Sequence, residues 1–243
     1  MTKNFIVTGG STGLGEAICK KILMDNNESV VITLARTSNN SVKELKKEFK
    51  ERYFFYEFNL EKLDLIHSFI KELNKKHGSI YGLVNNAAVG ADGILATMHE
   101  TEIISSININ ITSQILLTKY VARNMIKSRS GSIVNISSIV SKTGYNGLSV
   151  YAFAKAGQVG FTKSLSRELG KVGIRVNAIL PGFMETEMTS SIKTLDYERI
   201  INRSPFKKLA NLEDVSDLVV YLVSPKNQSI TGECITIDYG STS

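Results

Sequence analysis

The chain is poor in the residues that build disulfides and metal sites. It has two cysteines and three histidines in 243 residues. Cys19 and Cys234 stand far apart and outside any CxxC pattern, so no disulfide framework is expected, and a reduced, cytoplasmic setting fits. His67, His77 and His99 have no metal-ligand spacing with one another or with the cysteines, and no metal is expected. No apolar run approaches the roughly 20 residues needed to span a bilayer, and no membrane partner is expected. The N-terminus runs straight into a strand-like segment without a signal-peptide pattern. The net charge is +6, from 29 basic and 23 acidic residues, but no basic block or aromatic-interleaved stripe is present. KELKKEFKER (43–52) mixes both signs at helical spacing and reads as a solvated helix face, so no nucleic-acid partner is expected. No Pro/Gly/Ser linker, internal repeat or low-complexity segment divides the chain.

Apolar residues make up 42% of the sequence, enough for one sizeable core. Short runs rich in β-branched and aromatic residues recur at 4–8, 29–35, 53–58, 81–85, 132–137, 174–180 and 233–237. Their near-continuous apolarity suits strands buried on both faces of a parallel sheet. Helical patterns fill the gaps near 14–25, 41–50, 61–77, 99–127, 150–170 and 211–223. The alternation predicts an α/β fold: a single-domain, Rossmann-type, doubly wound parallel sheet of about seven strands with helices on both faces. Residues 1–243 are expected to form one dinucleotide-binding and catalytic domain. Segment 183–208, the longest without a strand, is expected to be a substrate lid.

TGGSTGLG (8–15) follows the first strand and opens the first helix. In that setting Gly9, Gly13 and Gly15 serve a tight turn, close approach to a pyrophosphate and packing of helix on sheet, and the helix start presents N–H groups to the anion. The spacing G-x-x-x-G-x-G differs from the usual G-x-G-x-x-G. At the end of the second strand, where an acidic residue would select the ribose 2′-hydroxyl of NAD, stands Arg36. Its planar fork suits a 2′-phosphate, so NADP(H) is the expected cofactor, with Thr37 and Ser38 adding hydrogen bonds.

YAFAK places Tyr151 and Lys155 on one helical face. Alone, this is compatible with a half-buried tyrosine and a snorkelling lysine. Taken with TGGSTGLG, NNAA (85–88), Asn110 in NINITS, Ser137-Ser138, PGFMETEM (181–188) and ITGECITIDYG (230–240), it resembles the short-chain dehydrogenase/reductase family over essentially the whole chain. Within that family the resemblance is greatest to bacterial 3-oxoacyl-(acyl-carrier-protein) reductases. Ser138 precedes Tyr151 by thirteen residues, the family's spacing.

The resemblance implies a catalytic tetrad of Asn110, Ser138, Tyr151 and Lys155. It implies a cofactor site from Gly9, Ser11, Thr12, Gly13, Leu14, Gly15, Arg36, Asn59, Leu60, Asn86, Ala87, Tyr151, Lys155, Pro181, Gly182 and Thr186, with Asn85 beside it. Tyr151 would be the general acid, its pKa lowered by the Lys155 ammonium. Ser138 would polarise the substrate carbonyl, and Asn110 would hold a water leading from Lys155 to solvent. The implied activity is NADPH-dependent reduction of a 3-oxoacyl thioester on an acyl carrier protein, in fatty acid biosynthesis. Arg129 and Lys171 would dock the acidic carrier, although the second docking position itself is Val172. Alternatives are an oxidoreductase of another carbonyl or alcohol (a sugar, polyol or small ketone) and an inactive nucleotide-binding scaffold. A homotetramer is implied, with the apolar stretch 115–126 compatible with an interface or a core stripe. The chain departs from the family pattern at Thr12, at Asn59-Leu60, at NNAA and at IDYG (237–240).

Overall fold

A computed structural model of the protein describes residues 2–90, 92–186, 189 and 194–243. Seven strands run β1 (Lys3–Thr8), β2 (Ser29–Ala35), β3 (Tyr53–Glu57), β4 (Ile80–Asn85), β5 (Gly131–Ile136), β6 (Ile174–Pro181) and β7 (Cys234–Ile237). All pair in parallel, in the order β3-β2-β1-β4-β5-β6-β7. The order reverses between β1 and β4, which opens a crevice at their carboxyl ends.

The period-2 alternation of the strands divides the core. Phe5 and Val7 of β1 join one apolar cluster with α1 (Gly13–Asp25), α2 (Asn40–Phe49) and α9 (Leu212–Val223). Ile6, between them, faces the other cluster with α3 (Ile66–His77) and α5 (Ser113–Ser128). Helices therefore cover both faces, and the central strands are continuously apolar for that reason. The remaining helices are α4 (Glu100–Ile107), α6 (Val140–Thr143), α7 (Ser149–Gly170) and α8 (Thr194–Arg203). Among the described residues no helix is long and apolar enough to cross a membrane.

Two sequence expectations change. The helix expected from 61 begins at Ile66, because Asn59 Oδ1 accepts from the Glu61 amide and a short 3₁₀ turn at Leu63–Leu65 follows. The long helix expected over 99–127 is interrupted by a π turn at Asn108–Thr112, where the Ser113 amide reaches back to the Asn108 carbonyl. Leu117, Val121, Ala122 and Met125 of the 115–126 stretch lie in the core, while Ile115 and Ile126 are exposed. The segment 183–208, expected to be a lid, contains α8 and, among its described residues, no strand. Its residues 187, 188 and 190–193 lie outside those described.

The first βα turn leaves no room for a Cβ at Gly15 and little at Gly9. Gly9 has φ +66°, and a Cβ on Gly15 would lie 2.1 Å from the Gly9 carbonyl oxygen. Backbone must move to admit a methyl there, at a cost of about 3 kcal/mol or more. Gly15→Ala is expected to lower the Tm of the cofactor-free protein by about 5 °C or more, as read by far-UV circular dichroism.

Candidate active site

The carboxyl ends of the strands open into a cleft of about 1310 Å³. One end is built on the glycine turn. Thr12 ends the turn in extended conformation with no side-chain cap, so the first N–H groups of α1 are left to a ligand. Thr8, fully buried, donates to Val84 O and accepts from the amides of Asn86 and Ala87 at 3.0 and 2.9 Å. Asn86 returns the contact, its Nδ2 donating to the carbonyls of Thr8 and Gly9 at 2.9 and 3.3 Å. The two loops at the switch point are thus one hydrogen-bonded unit. Asn39 extends it, donating to Ser11 O at 2.7 Å while its oxygen caps α2. Beneath the turn, burial pushes the Cys19 thiol up to about 12, which leaves it a small packing group hydrogen-bonded to Thr33.

All sixteen residues expected at the cofactor site line this cleft: Ser11, Thr12 and Leu14 with the glycines, Arg36 and Asn59-Leu60 at one end, Asn86-Ala87 at the middle, Pro181-Gly182 and Thr186 opposite, and Tyr151 with Lys155. Thr37 lines it and Ser38 does not. Asn85 is a correction. It is fully buried outside the cleft, its Nδ2 donating to Thr118 Oγ1 and Asn135 Oδ1, and so ties β4 to β5 and α5.

Ser138, Tyr151 and Lys155 line the same cleft. Ser137 Oγ donates to the Lys155 carbonyl at 2.8 Å, which fastens α7 to the end of β5. The Ser138 hydroxyl accepts from the Val140 amide at 3.3 Å. Lys155 is 1% exposed, and its Nζ donates to the Ile136 carbonyl at 2.7 Å. The same nitrogen lies 5.5 Å from the centre of the Tyr151 ring. Burial brings the Lys155 pKa down to about 7. Burial, with the Asp92 carboxylate adding to it, pushes Tyr151 up to about 12. The expected lowering of the phenol by its lysine is therefore absent in the cofactor-free protein: both groups have lost water, and each charged form is disfavoured.

Asn110 lies one layer behind. It is fully buried on the π turn and does not line the cleft. Its Nδ2 donates to Val89 O at 2.9 Å and Ser106 Oγ at 3.0 Å, and its Oδ1 accepts from the Val89 amide at 2.9 Å. The side chain clamps the loop after β4, with both amide hydrogens spent. Gln114, one turn on, donates to Ala87 O at 2.9 Å and accepts from Gln158 of α7, so a buried amide pair joins that loop to the helix carrying Tyr151. Asp92, Gln114, Gln158 and Asn39 escaped the sequence reading, because none forms a motif and only the tertiary fold brings them here.

Residues 9–242 match a family model described as enoyl-(acyl carrier protein) reductase. The chain is 34% identical to the 3-oxoacyl-(acyl-carrier-protein) reductase of Buchnera aphidicola subsp. Acyrthosiphon pisum, over 96% of this chain and 95% of that one. It is 34% identical to the enzymes so named from Vibrio harveyi (97% and 95%) and Thermotoga maritima (97% and 96%). The solved structure of ElxO with NADP bound superposes with a TM-score of 0.88 at 30% identity, covering 99% of both chains. A variant of ElxO with one tyrosine replaced by phenylalanine, with NADPH bound, gives the same TM-score at 29% identity. The fold and cleft define a Rossmann-type oxidoreductase. The chain belongs to the short-chain dehydrogenase/reductase family.

The buried lysine has a measurable cost. Between pH 7 and 10.5 the unfolded chain holds a proton on Lys155 that the folded chain has shed, so this group makes stability rise with pH across that window. Lys155→Met keeps the stem and removes the charge. In the cofactor-free protein it is expected to raise Tm at pH 7 by on the order of 5 °C. The gain should shrink toward pH 10.5 in thermal melts across that range, and a gain independent of pH would refute the buried-charge account.

Proposed function

We propose that the chain is an NADPH-dependent reductase of 3-oxoacyl thioesters, using Ser138, Tyr151 and Lys155 with Asn110 behind them. The observation that carries this reading is one cleft lined both by Ser138, Tyr151 and Lys155 and by the glycine turn, with Lys155 Nζ 5.5 Å from the centre of the Tyr151 ring. The turn fits a dinucleotide, because Thr12 leaves the start of α1 without a side-chain cap and Gly13, Leu14 and Gly15 line the cleft. Gly9, Ser11, Thr12, Gly13, Leu14 and Gly15 would hold the pyrophosphate, Arg36 the 2′-phosphate, Asn59 and Leu60 the adenine. Asn86, Ala87 and Lys155 would hold the nicotinamide ribose, and Pro181, Gly182 and Thr186 the carboxamide. When bound, the dinucleotide supplies a hydride.

The protein's own part is protonic. The Ser138 hydroxyl polarises the substrate carbonyl. Tyr151 gives its proton to the oxygen as negative charge develops there. A phenol held near 12 stays protonated throughout the neutral range, and an alkoxide is a far stronger base than a phenolate, so transfer runs toward the alcohol. The tyrosinate left behind is the partner that a protonated Lys155 lacks in the resting protein.

The carrier protein is part of the proposal, supported by the names of the relatives. Arg129 closes α5 and Lys171 closes α7, both immediately before strands begin. They lie at the amino ends of β5 and β6, a strand's length of roughly 20 Å from the cleft edge of the same chain. A carrier docked on this pair would serve the cleft of another copy. That agrees with the proposed homotetramer, for which exposed Phe153, Ile104 and Ile115 offer an apolar face. A cytoplasmic setting completes the reading, with Cys19 and Cys234 both unpaired.

The test is NADPH oxidation by acetoacetyl thioesters beside a panel of sugars and diketones. Thioester turnover at least tenfold above the rest is expected, and preferred turnover of a sugar or diketone would overturn the substrate assignment. Tyr151→Phe should lower kcat by on the order of 10²-fold or more while NADPH binding persists. More than a tenth of wild-type activity in that variant would remove Tyr151 from its role.

Arg36→Asp is expected to weaken NADPH binding by roughly 10- to 100-fold, the worth of a charge-assisted contact, and to spare NADH. Fluorescence titration of both nucleotides checks this. Equal affinity of the wild-type enzyme for the two would show that Arg36 does not select.

A further inference from the structure

The two ends of the cleft differ in charge. The cofactor end carries one cation, Arg36, whereas the wall formed by α8 and the segment after it carries Arg199, Arg203 and Lys208. Arg199 and Arg203 are four residues apart and therefore share a helix face. Two carboxylates border the same space. Asp238 is spent internally: burial pushes it up, but hydrogen bonds from Thr242, Gly240 and Ser241 outweigh this and hold it below the usual range. Asp92, on the opposite wall, is exposed. Arg203 and Lys208 thus share this space with one available carboxylate.

The cations are placed by packing. Tyr197 sets α8 on the wall through an edge contact with Phe183, ring centres 6.2 Å apart. The end of α8 is anchored by Ser204, which is 1% exposed and donates to Tyr239 O at 2.9 Å. The chain then turns through Lys207 at φ +53°, its amide bonded to Ser204 O, which delivers Lys208 to the same wall. The Arg203 guanidinium lies 5.3 Å over the ring of Tyr145, a residue of the cleft rim. Stacking holds the guanidinium plane and leaves its N–H edge for an oxyanion. Ile200, Leu209 and Met184 line the same space and make the wall partly apolar. Ser138 and Tyr151 act on a neutral carbonyl, so an anion that met this wall would sit elsewhere on the substrate.

We propose that Arg203 and Lys208, with Arg199 beside them, form an oxyanion-recognition site that selects carbonyl substrates bearing a phosphate or carboxylate away from the reacting carbon. It deepens the reductase reading above and rests on it for the position of that carbon. The anion has two possible sources: the phosphate of a pantetheine carrier arm, or the carboxylate of a free keto acid.

The test uses full-length enzyme saturated with NADP. Calorimetric binding of pantetheine 4′-phosphate is compared with that of pantetheine, and of a 3-oxo dicarboxylate with its mono-ester. The same pairs are then measured with Arg203→Gln/Lys208→Gln and with Arg203→Lys. At least one anionic member is expected to bind tenfold or more tightly than its neutral partner. That ratio should fall toward one in the double glutamine variant and be partly kept in Arg203→Lys, with Tm unchanged. Preference within the first pair assigns the carrier arm, and within the second the keto acid. Equal binding within both pairs by wild type, or a preference that survives the double variant, overturns the inference. So does a dependence on Arg203 and Lys208 seen only with an intact carrier protein, since the cations would then be docking protein surface. Because binding is read without turnover, failure of the thioester assay leaves this result standing, and failure here leaves Tyr151 in place.

Discussion

The site depends on one hydrogen bond, from Lys155 Nζ to the carbonyl of Ile136. A lysine 1% exposed is tolerable only with its head satisfied, and the carbonyl at the end of β5 is the acceptor the fold supplies. To bring that nitrogen to that carbonyl, α7 must lie tightly on the sheet. Ala154, fully buried, and the Ser137–Lys155 contact allow it. Tyr151, one turn earlier on the same face, then reaches the cleft that Ser138 also lines. The arrangement is a stored electrostatic imbalance: amine and phenol are each held in water-poor surroundings where neither charge is comfortable. Proton transfer away from Tyr151 is the event that would give the lysine its missing counter-charge.

Much of this was legible in the sequence because it is local. Doubly buried strands declare themselves as apolar runs, and β2 spans the very residues the pattern marks, Ser29–Ala35. The glycine turn is written in consecutive letters, since a turn without room for Cβ must be spelled with glycine. Resemblance located the remaining cofactor positions, and the cleft gathers them. What the sequence hid is relational. Asn85 and Asn86 are identical neighbours, yet alternation along β4 sends the first into the core and the second to the cleft. The Tyr151 environment is set by Asp92 and by burial, neither visible in YAFAK. The π turn left 99–127 looking like one helix, because apolar residues continue through NINIT (108–112) with no glycine or proline to mark a break.

Where the chain departs from the family pattern, other contacts take over. Tyr239, in IDYG, sits at φ +51°, a conformation a glycine adopts without strain. It is held there by a hydrogen bond from its hydroxyl to Asp214 and by the ring of Phe206, 5.5 Å away. The same corner anchors the end of α8 through Ser204, so the terminal turn and the substrate wall are mechanically joined.

The π turn at Asn108–Thr112 has a consequence for how this chain can change length. Each residue of a helix advances its neighbours by about 100° around the axis. One surplus residue, absorbed at the turn, lets α4 and α5 each present their own correct side: Ser106 toward Asn110, and Gln114 toward Ala87. Deleting any residue between them would restore a regular ladder and rotate one helix against the other by that angle. Leu117 and Val121 would then leave the core, and Gln114 would leave the loop it supports. In descendants of this sequence, insertions and deletions should accumulate in surface connections and be purged between Ser106 and Gln114.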